Sequence, residues 1–244
     1  MVEKYRVATG PGSAVHEVAR EVMPTLREWG NRYLQNMTPS GAYAKGTAIT
    51  LASHIDILVV LRHAPEIEMR EIFWSLFKYL TDRGFRPHTH AVAMRIQYQG
   101  IDIDVLPACS VEGGSHDHIV FDKNSVNGIG TNVARHVHLV ANSRRTQEIC
   151  ALKIWRSRAS LDFPSLYLEL TALAALEKER FGQLADNVMT VLRYISARLV
   201  KTVVRDPANP DNVISDALTA SQKQIIAKTA AKELSDENWK RILW

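Results

Sequence analysis

The sequence predicts an α+β protein with two lobes, in which a mixed β-sheet domain is followed by a C-terminal helical domain. Apolar runs rich in β-branched residues indicate strands at 55–61 and 101–106. From about residue 132 onward, apolar residues recur at helical spacing instead. Strands in one half of a chain and helices in the other are typical of α+β folds. We therefore expect a sheet domain with an N-terminal helix over residues 1–130 and a helical domain over residues 131–244.

The first half contains two further helices and a third strand. Residues 13–35 form an amphipathic pattern that predicts a helix with a kink at Pro24. Residues 66–83 predict a helix that ends before Gly84, because glycine commonly follows the last helical residue. Residues 91–99 alternate between apolar and polar side chains and predict a strand. The expected order around the sheet is turn, strand, helix, strand, strand.

The second half begins after an irregular segment. Residues 109–131 contain four glycines and are expected to lack regular structure. Strong helical periodicity then predicts helices at 145–159, 163–179, 184–203 and 219–234. A turn-rich break at 206–213 separates the last two of these helices.

Composition indicates a soluble globular protein with a mildly basic charge. The 244 residues are 46% hydrophobic and 23% charged, with a formal net charge of +4. That charge is compatible with a polyanionic ligand. The chain shows no apolar run of transmembrane length and no signal peptide, and Cys109 and Cys150 have no metal-binding spacing. We therefore expect a cytoplasmic protein with reduced thiols and no membrane partner.

A small-residue turn precedes the first strand and predicts a phosphate-binding segment. The turn is Ser40-Gly41-Ala42, and Lys45 and Thr47 follow it on either side of a glycine. Glycine allows a ligand to approach the backbone closely, while backbone N–H groups and an ammonium group suit anionic oxygens. We expect all five of these residues to bind a nucleotide.

Acidic residues interrupt both predicted strands. Asp56 lies in the first strand, and Asp102 and Asp104 lie in the second. Residues two apart share one face of a strand, so His54 accompanies Asp56, and Asp102 accompanies Asp104. If the two strands are neighbours, these side chains converge beside the glycine turn. Carboxylates next to a phosphate-binding turn suit phosphoryl or nucleotidyl transfer that depends on Mg²⁺.

Three His-x-His pairs raise the alternative of a structural zinc site. They lie at residues 88 and 90, 116 and 118, and 136 and 138. This spacing places both imidazoles on one face only in a strand, and no cysteine accompanies any pair. The sequence therefore favours exposed or hydrogen-bonded histidines over zinc ligands.

Taken in order, these motifs resemble the DNA polymerase β-like nucleotidyltransferase superfamily. The similar branch contains archaeal CCA-adding enzymes, oligoadenylate synthetases and bacterial cGAS/DncV-like nucleotidyltransferases. Its pattern is a Gly-Ser turn, a Lys-Gly-Thr triplet, an acid-x-acid pair on a strand, and a third acid before a hydrophobic pair and proline. The similar segments here are Gly41, Lys45-Gly46-Thr47, Asp56, Asp104 to Ala108, Thr131 to Val140, Leu152 to Trp155, Phe163 to Leu170 and Asp206 to Val213.

The resemblance implies a template-independent nucleotidyltransferase that transfers NMP from an NTP to a hydroxyl. The implied product is an oligonucleotide second messenger of bacterial antiviral defence, or an RNA whose 3′ end is extended, so the acceptor is a nucleotide or RNA. The family holds two Mg²⁺ or Mn²⁺ ions, here assigned to His54, Asp56, Asp104 and Asp102. Lys153 is implied as a triphosphate ligand. Ser165 is assigned to the nucleotide as well, or caps its helix.

Two departures from the family pattern leave the role of this turn and strand open. Ala42 replaces the serine of the Gly-Ser turn, and Ser40 lies two residues earlier as a substitute hydroxyl. His54 replaces the first acid of the acid-x-acid pair. Imidazole suits Mn²⁺ better than Mg²⁺, so His54 is compatible with a Mn²⁺ ligand, a base toward the acceptor hydroxyl, an inactivating residue or an engineered change.

Two other functions are alternatives to this one. The first is a catalytically inactive module of the same fold that binds nucleotides. The second is a transferase that modifies small molecules, which the segments at 152–155 and 163–170 argue against because such enzymes differ from this branch in their helical half.

Overall fold

A computed structural model describes residues 2–8, 12–51, 54–62, 67–90, 92–112, 116–122 and 125–235. The chain divides into two compact units. The sheet unit contains Ala8–Ala44 and Ser53–Val137, and the helical unit contains Met1–Val7, Lys45–Ala52 and His138–Trp244. The segment with the Lys-Gly-Thr triplet therefore belongs to the helical unit, although it lies in the first quarter of the chain.

The elements of both units follow one another in chain order. They are α1 (Val2–Tyr5), α2 (Ala14–Gly30), a 3₁₀ turn (Asn31–Tyr33), β1 (Leu34–Ser40), α3 (Gly41–Ala44), β2 (Ile55–Leu61), α4 (Met69–Asp82), β3 (His88–His90), β4 (Ala93–Tyr98), β5 (Ile101–Ser110), β6 (His118–Asp122), β7 (Ser125–Thr131), α5 (Val133–Ala141), α6 (Thr146–Arg158), α7 (Ser165–Ala175), α8 (Leu184–Arg198), a second 3₁₀ turn (Ile214–Ala217) and α9 (Ala220–Ser235). The expected α+β class with a mixed sheet is confirmed.

The sheet unit is built on a sheet in the order β1-β2-β5-β4-β3, and β6 and β7 extend it from the far end of β5. Strands β2 and β5 are parallel, and the other pairs are antiparallel. The register places five polar residues in one row, which we call the polar rung: Ser40, Asp56, Asp104, Arg95 and His88. Because directly paired residues point to the same face of a sheet, the polar rung brings their side chains together.

Apolar side chains cover the sheet where the polar rung does not interrupt it. Helix α4 packs on β5, β6 and β7, and α2 packs on β1 and β2. Every residue of β2 is buried except Asp56. Phe73 of α4 stacks on Phe121 of β6 with ring centroids 4.2 Å apart. These contacts hold the strands, and therefore the polar rung, in a fixed register.

Two predictions of local structure in the first half were wrong. Residues 109–131 are not irregular, because they contain the end of β5 and the hairpin of β6 and β7. A side chain at Gly128 would overlap the backbone of Val120, so this glycine lets the two strands pack closely rather than breaking them. The first helix ends at Gly30 instead of residue 35, and β1 follows. As an edge strand, β1 accommodates Pro39 despite its missing N–H.

The helical unit has its own apolar core. Helix α6 is buried on all sides from Glu148 to Trp155, although Glu148 and Lys153 are charged. It packs against α7 and α8, and α8 packs against α9. The four helices predicted from residue 145 onward are confirmed as α6, α7, α8 and α9, with shorter C-terminal ends for α7 and α8. No helix among the described residues combines the length and apolar character needed to span a bilayer.

Candidate active site

A tight turn places Gly41 against the carboxylate of Asp56. Gly41 has a φ of 59°, which residues with side chains rarely adopt, and a Cβ atom there would overlap the Asp56 side chain. Ser40, immediately before it, is buried and lies opposite Asp56 in the sheet register. Ala42 is the second residue of α3, directly after this turn. The Asp56 side chain therefore requires a glycine at position 41, and the assignment of Ser40, Gly41 and Ala42 to a nucleotide stays a prediction.

His54, Asp56 and Asp104 form a compact group of potential metal ligands. His54 Nε2 lies 3.3 Å from Asp56 Oδ1 and 3.4 Å from Asp104 Oδ2. One ligand atom from each of the three residues falls within 4.8 Å of the others. Asp56 Oδ2 is buried and has no hydrogen-bond partner among the described residues. A buried carboxylate oxygen without a partner is costly, which indicates that this group is shaped for a ligand.

Arg95 completes the charge balance of this group. Its guanidinium donates from Nε to Asp104 Oδ1 and from Nη2 to Asp104 Oδ2, both at 2.7 Å. Burial would raise the pKa of Asp104, but the hydrogen bonds from Arg95 and the nearby His54 outweigh it and lower that pKa. His90 Nδ1 lies 3.4 Å from Asp104 Oδ2. Sequence reasoning did not identify Arg95 or His90 as part of this site.

The hydrogen bond to Asp56 raises the pKa of His54, and this effect outweighs the burial that would lower it. Arg95 supplies one positive charge against the two carboxylates, and His54 adds another when it is protonated.

Asp102 lies outside this group of three, although it is on the same strand as Asp104. Its Oδ2 is 3.8 Å from Arg95 Nη1, and its Oδ1 accepts a 3.3 Å hydrogen bond from Gln97. The Asp102 side chain is 42% exposed, whereas that of Asp104 is 5% exposed. Asp102 is thus a neighbour of Arg95, and its assignment as a metal ligand stays a prediction.

In the helical unit, Lys45, Thr47 and Lys153 surround a buried carboxylate that the sequence analysis missed, that of Glu169. Lys45 Nζ lies 2.8 Å from Glu169 Oε2, and Lys153 Nζ lies 2.7 Å from Oε1. Lys153 also donates to Thr47 Oγ1 at 2.8 Å. We call these four residues the lysine cluster. Both ammonium groups are engaged inside the unit, and their assignment to a triphosphate stays a prediction.

Burial and ion pairing act on the lysine cluster in opposite directions. Burial lowers the pKa of Lys153, although Glu169 opposes this effect. Burial alone would raise the pKa of Glu169, but the two lysines outweigh it and lower that pKa. The signal that could have revealed Glu169 is a single charge in an otherwise apolar helix, because α7 reads SLYLELTALAA. Such a charge has to be paired when it lies on the buried face of the helix.

Ser165 is the first residue of α7, and its Oγ accepts a 3.0 Å hydrogen bond from Arg156 Nη1. Arg156 also donates to the Phe163 carbonyl at 2.8 Å. These bonds fix the entry to α7, and the nucleotide-binding role of Ser165 stays a prediction.

The residues of the sheet unit fit one divalent cation. They offer one imidazole nitrogen and carboxylate oxygens from two aspartates, and the unpartnered Asp56 oxygen is available as a ligand. Mg²⁺ prefers oxygen ligands, whereas Mn²⁺ and later transition metals also accept imidazole. The donor set therefore suits Mn²⁺ better than Mg²⁺.

No protein-family model matches the chain. Among curated proteins, it is 25% identical over 218 residues to the cyclic AMP-AMP-AMP synthase of Escherichia coli (strain MS 115-1). That alignment covers 75% of this chain and 64% of the relative, so the chain spans less than two thirds of the length of the curated protein it matches.

Solved structures of bacterial nucleotidyltransferases match most of the chain. E. coli MS115-1 CdnC, solved with ATP, has a TM-score of 0.74 at 17% identity and covers 94% of this chain and 88% of its own. The CD-NTase CdnG of Bradyrhizobium diazoefficiens, solved with GTP, has a TM-score of 0.77 at 13% identity and covers 99% and 90%. The fold expected from the sequence motifs is confirmed, because the chain has the fold of these solved structures over most of its length.

Proposed function

We propose that this protein is a template-independent nucleotidyltransferase, which transfers NMP from an NTP to a hydroxyl and releases pyrophosphate. The observation that carries the proposal is the group of His54, Asp56 and Asp104 beside Gly41, with a buried Asp56 oxygen that lacks a partner. The similarity to a cyclic AMP-AMP-AMP synthase and to CD-NTase structures supports the same reaction class.

Each residue of the group has a distinct role in this proposal. Asp56 and Asp104 supply the negative charge that holds a divalent cation, and His54 supplies a nitrogen ligand. A bound cation would neutralise triphosphate charge and lower the pKa of the acceptor hydroxyl. Gly41 leaves the space that the Asp56 carboxylate occupies, so that this acid can lie against the turn. Ser40 provides the hydroxyl that Ala42 lacks.

We further propose that the cation is Mn²⁺ and that the acceptor is a nucleotide rather than RNA. The imidazole of His54 supports Mn²⁺ over Mg²⁺ because it replaces a hard oxygen ligand. The similar solved structures hold ATP or GTP, which supports these two nucleotides as the substrates to test first. The product would then be a short oligonucleotide.

The experiment measures pyrophosphate release from each of the four NTPs with Mn²⁺ and with Mg²⁺. The unmodified protein should turn over with Mn²⁺, and Asp56→Asn should lower the rate by at least a hundredfold. Asp82→Asn is the matched control, because Asp82 is an exposed acid of α4 that pairs with Lys78. Equal rates for Asp56→Asn and the control would contradict the site assignment.

One observation favours a second candidate, a nucleotide-binding module without catalysis. Arg95 pairs with both oxygens of Asp104, and His54 lies within 3.4 Å of both acids, so that contacts within the protein hold the site together without a metal. This candidate predicts that ATP binds, as measured by calorimetry, while no pyrophosphate is released with either cation. Pyrophosphate release that Asp56→Asn abolishes would eliminate it.

A further inference from the structure

Arg95 occupies both oxygens of an acid that the proposed reaction needs. Its two donor atoms each lie 2.7 Å from a different oxygen of Asp104, in the fork geometry that makes arginine–carboxylate pairs strong. The Asp104 side chain is 5% exposed and that of Arg95 is 19% exposed, so water screens this pair weakly. Building on the proposed function, we propose that Arg95 is a positioning residue that keeps Asp104 neutralised and has to release it before Asp104 can hold a divalent cation.

The two acids of the site differ in how their oxygens are used. Asp56 Oδ2 is buried against Gly41 and has no hydrogen-bond partner among the described residues. Asp104 Oδ2 lies near three nitrogens, because Nε2 of His54 and Nδ1 of His90 are each 3.4 Å away in addition to the arginine. A carboxylate oxygen has about two lone-pair directions. Both oxygens of Asp104 therefore have nitrogen neighbours, whereas Asp56 has one at Oδ1 only.

The strand register makes this pairing a fixed feature of the sheet. Arg95 of β4 and Asp104 of β5 are direct partners in the polar rung. The residues on either side of Arg95, Met94 and Ile96, are fully buried and anchor the strand. The backbone cannot move Arg95 away from Asp104 without breaking this packing, so release requires rotation of the arginine side chain.

A second carboxylate lies within reach of the released guanidinium. Asp102 Oδ2 is 3.8 Å from Arg95 Nη1, and Asp102 is the more exposed acid of the strand. Arg95 can therefore leave Asp104 and remain paired with Asp102. This arrangement gives Asp102 a role that does not require it to contact the metal.

Arg95 therefore lowers the affinity of this site for a divalent cation. Removing the guanidinium restores the charge of Asp104 and frees its Oδ1, while Oδ2 keeps only the two histidine nitrogens at 3.4 Å. Arg95→Gln should therefore bind Mn²⁺ at least tenfold more tightly than the unmodified protein. Arg95→Lys should fall between the two, because lysine keeps the charge but cannot form the fork.

The test is a titration with Mn²⁺ alone, in which electron paramagnetic resonance measures the free ion. Arg83→Gln is the matched control: it causes the same change in net charge in the same unit and also removes a paired arginine, since Arg83 pairs with Glu28. Its Mn²⁺ affinity should equal that of the unmodified protein. Thermal unfolding of each variant checks that it is folded, and if Arg95→Gln does not fold, Arg95→Lys decides by the same comparison.

The proposal is overturned if the Arg95 variant that decides the test binds Mn²⁺ no more tightly than Arg83→Gln. It is also overturned if no variant binds Mn²⁺ at all. Because the titration does not depend on turnover, its failure is distinguishable from failure of the proposed function. If the unmodified protein releases pyrophosphate but the Arg95 variant binds Mn²⁺ with unchanged affinity, the proposed function holds and the role of Arg95 does not. If the Arg95 variant binds Mn²⁺ more tightly but no pyrophosphate is released, the role of Arg95 holds and the proposed function does not.

Discussion

Replacement of Glu169 by glutamine should destabilise the helical unit by about 3–5 kcal/mol, the usual cost of removing one partner from a buried ion pair. Glu169 is fully buried and contacts Nζ of both Lys45 and Lys153 within 2.8 Å. Glutamine has nearly the same volume, so the change creates no cavity and isolates the loss of charge. Two buried ammonium groups then lack a counter-charge, and the amide NH₂ group cannot accept a hydrogen bond from either of them.

The assay is urea-induced unfolding followed by circular dichroism, together with the unfolding midpoint on heating. For a chain of this size, about 2–4 °C is lost per kcal/mol, so the midpoint should fall by about 6–20 °C. Glu177→Gln is the control, because Glu177 is exposed and lies just after the end of α7. A loss below about 1 kcal/mol for Glu169→Gln, close to what exposed pairs contribute, would refute the reasoning.

The stability difference between the unmodified protein and Glu169→Gln should also depend on pH. The two lysines lower the pKa of Glu169 in the folded state despite its burial. Its contribution to stability is therefore fully present above the unfolded-state pKa of about 4.3 and is lost as pH falls through the lower folded-state value. The stability difference between the unmodified protein and Glu169→Gln should shrink over that range. A difference that stays constant down to the acid limit would contradict the assigned ionisation.

Two further substitutions test the sheet unit. Gly41→Ala should lower pyrophosphate release by at least tenfold and destabilise the fold by about 1–3 kcal/mol, because the new methyl group overlaps Asp56 in a left-handed turn. Gly84→Ala is the control, because Gly84 also has a positive φ but has open space around it. Equal effects of the two substitutions on pyrophosphate release would contradict the role of Asp56. His54→Asp should raise the rate supported by Mg²⁺ relative to that supported by Mn²⁺, because it restores an oxygen ligand. A fall in the rate with both cations would instead indicate that the reaction requires the imidazole of His54.

The sequence predicted the features that depend on local patterns. Asp56 and Asp104 each interrupt an apolar strand, which is visible in the sequence because a charge in a buried strand needs a partner or a ligand. The helices α6 to α9 were predicted because their apolar spacing is long and regular. The pairing of β2 with β5 was an assumption in the sequence analysis, and the register confirms it.

Features that depend on distant pairing could not be predicted. Arg95 is one of the polar residues of an alternating strand, and nothing in that pattern distinguishes it from the others. Only the register of β4 on β5 places it beside Asp104. Glu169 and Lys45 are 124 positions apart, so no spacing rule connects them. The β6–β7 hairpin was missed because its glycines suggested a loop, whereas Gly128 permits close strand packing. The first two residues of strand β1 were read as the end of the preceding helix because Leu34 continues the helical pattern.

The most direct test of the central claim is the mass of the products that form from ATP and GTP with Mn²⁺. The unmodified protein should form products in which each phosphodiester linkage is accompanied by the release of one pyrophosphate, and Asp56→Asn should form none. Recovery of unchanged nucleotides, or of nucleoside diphosphate and inorganic phosphate only, would contradict transfer of a nucleotide to a nucleotide hydroxyl.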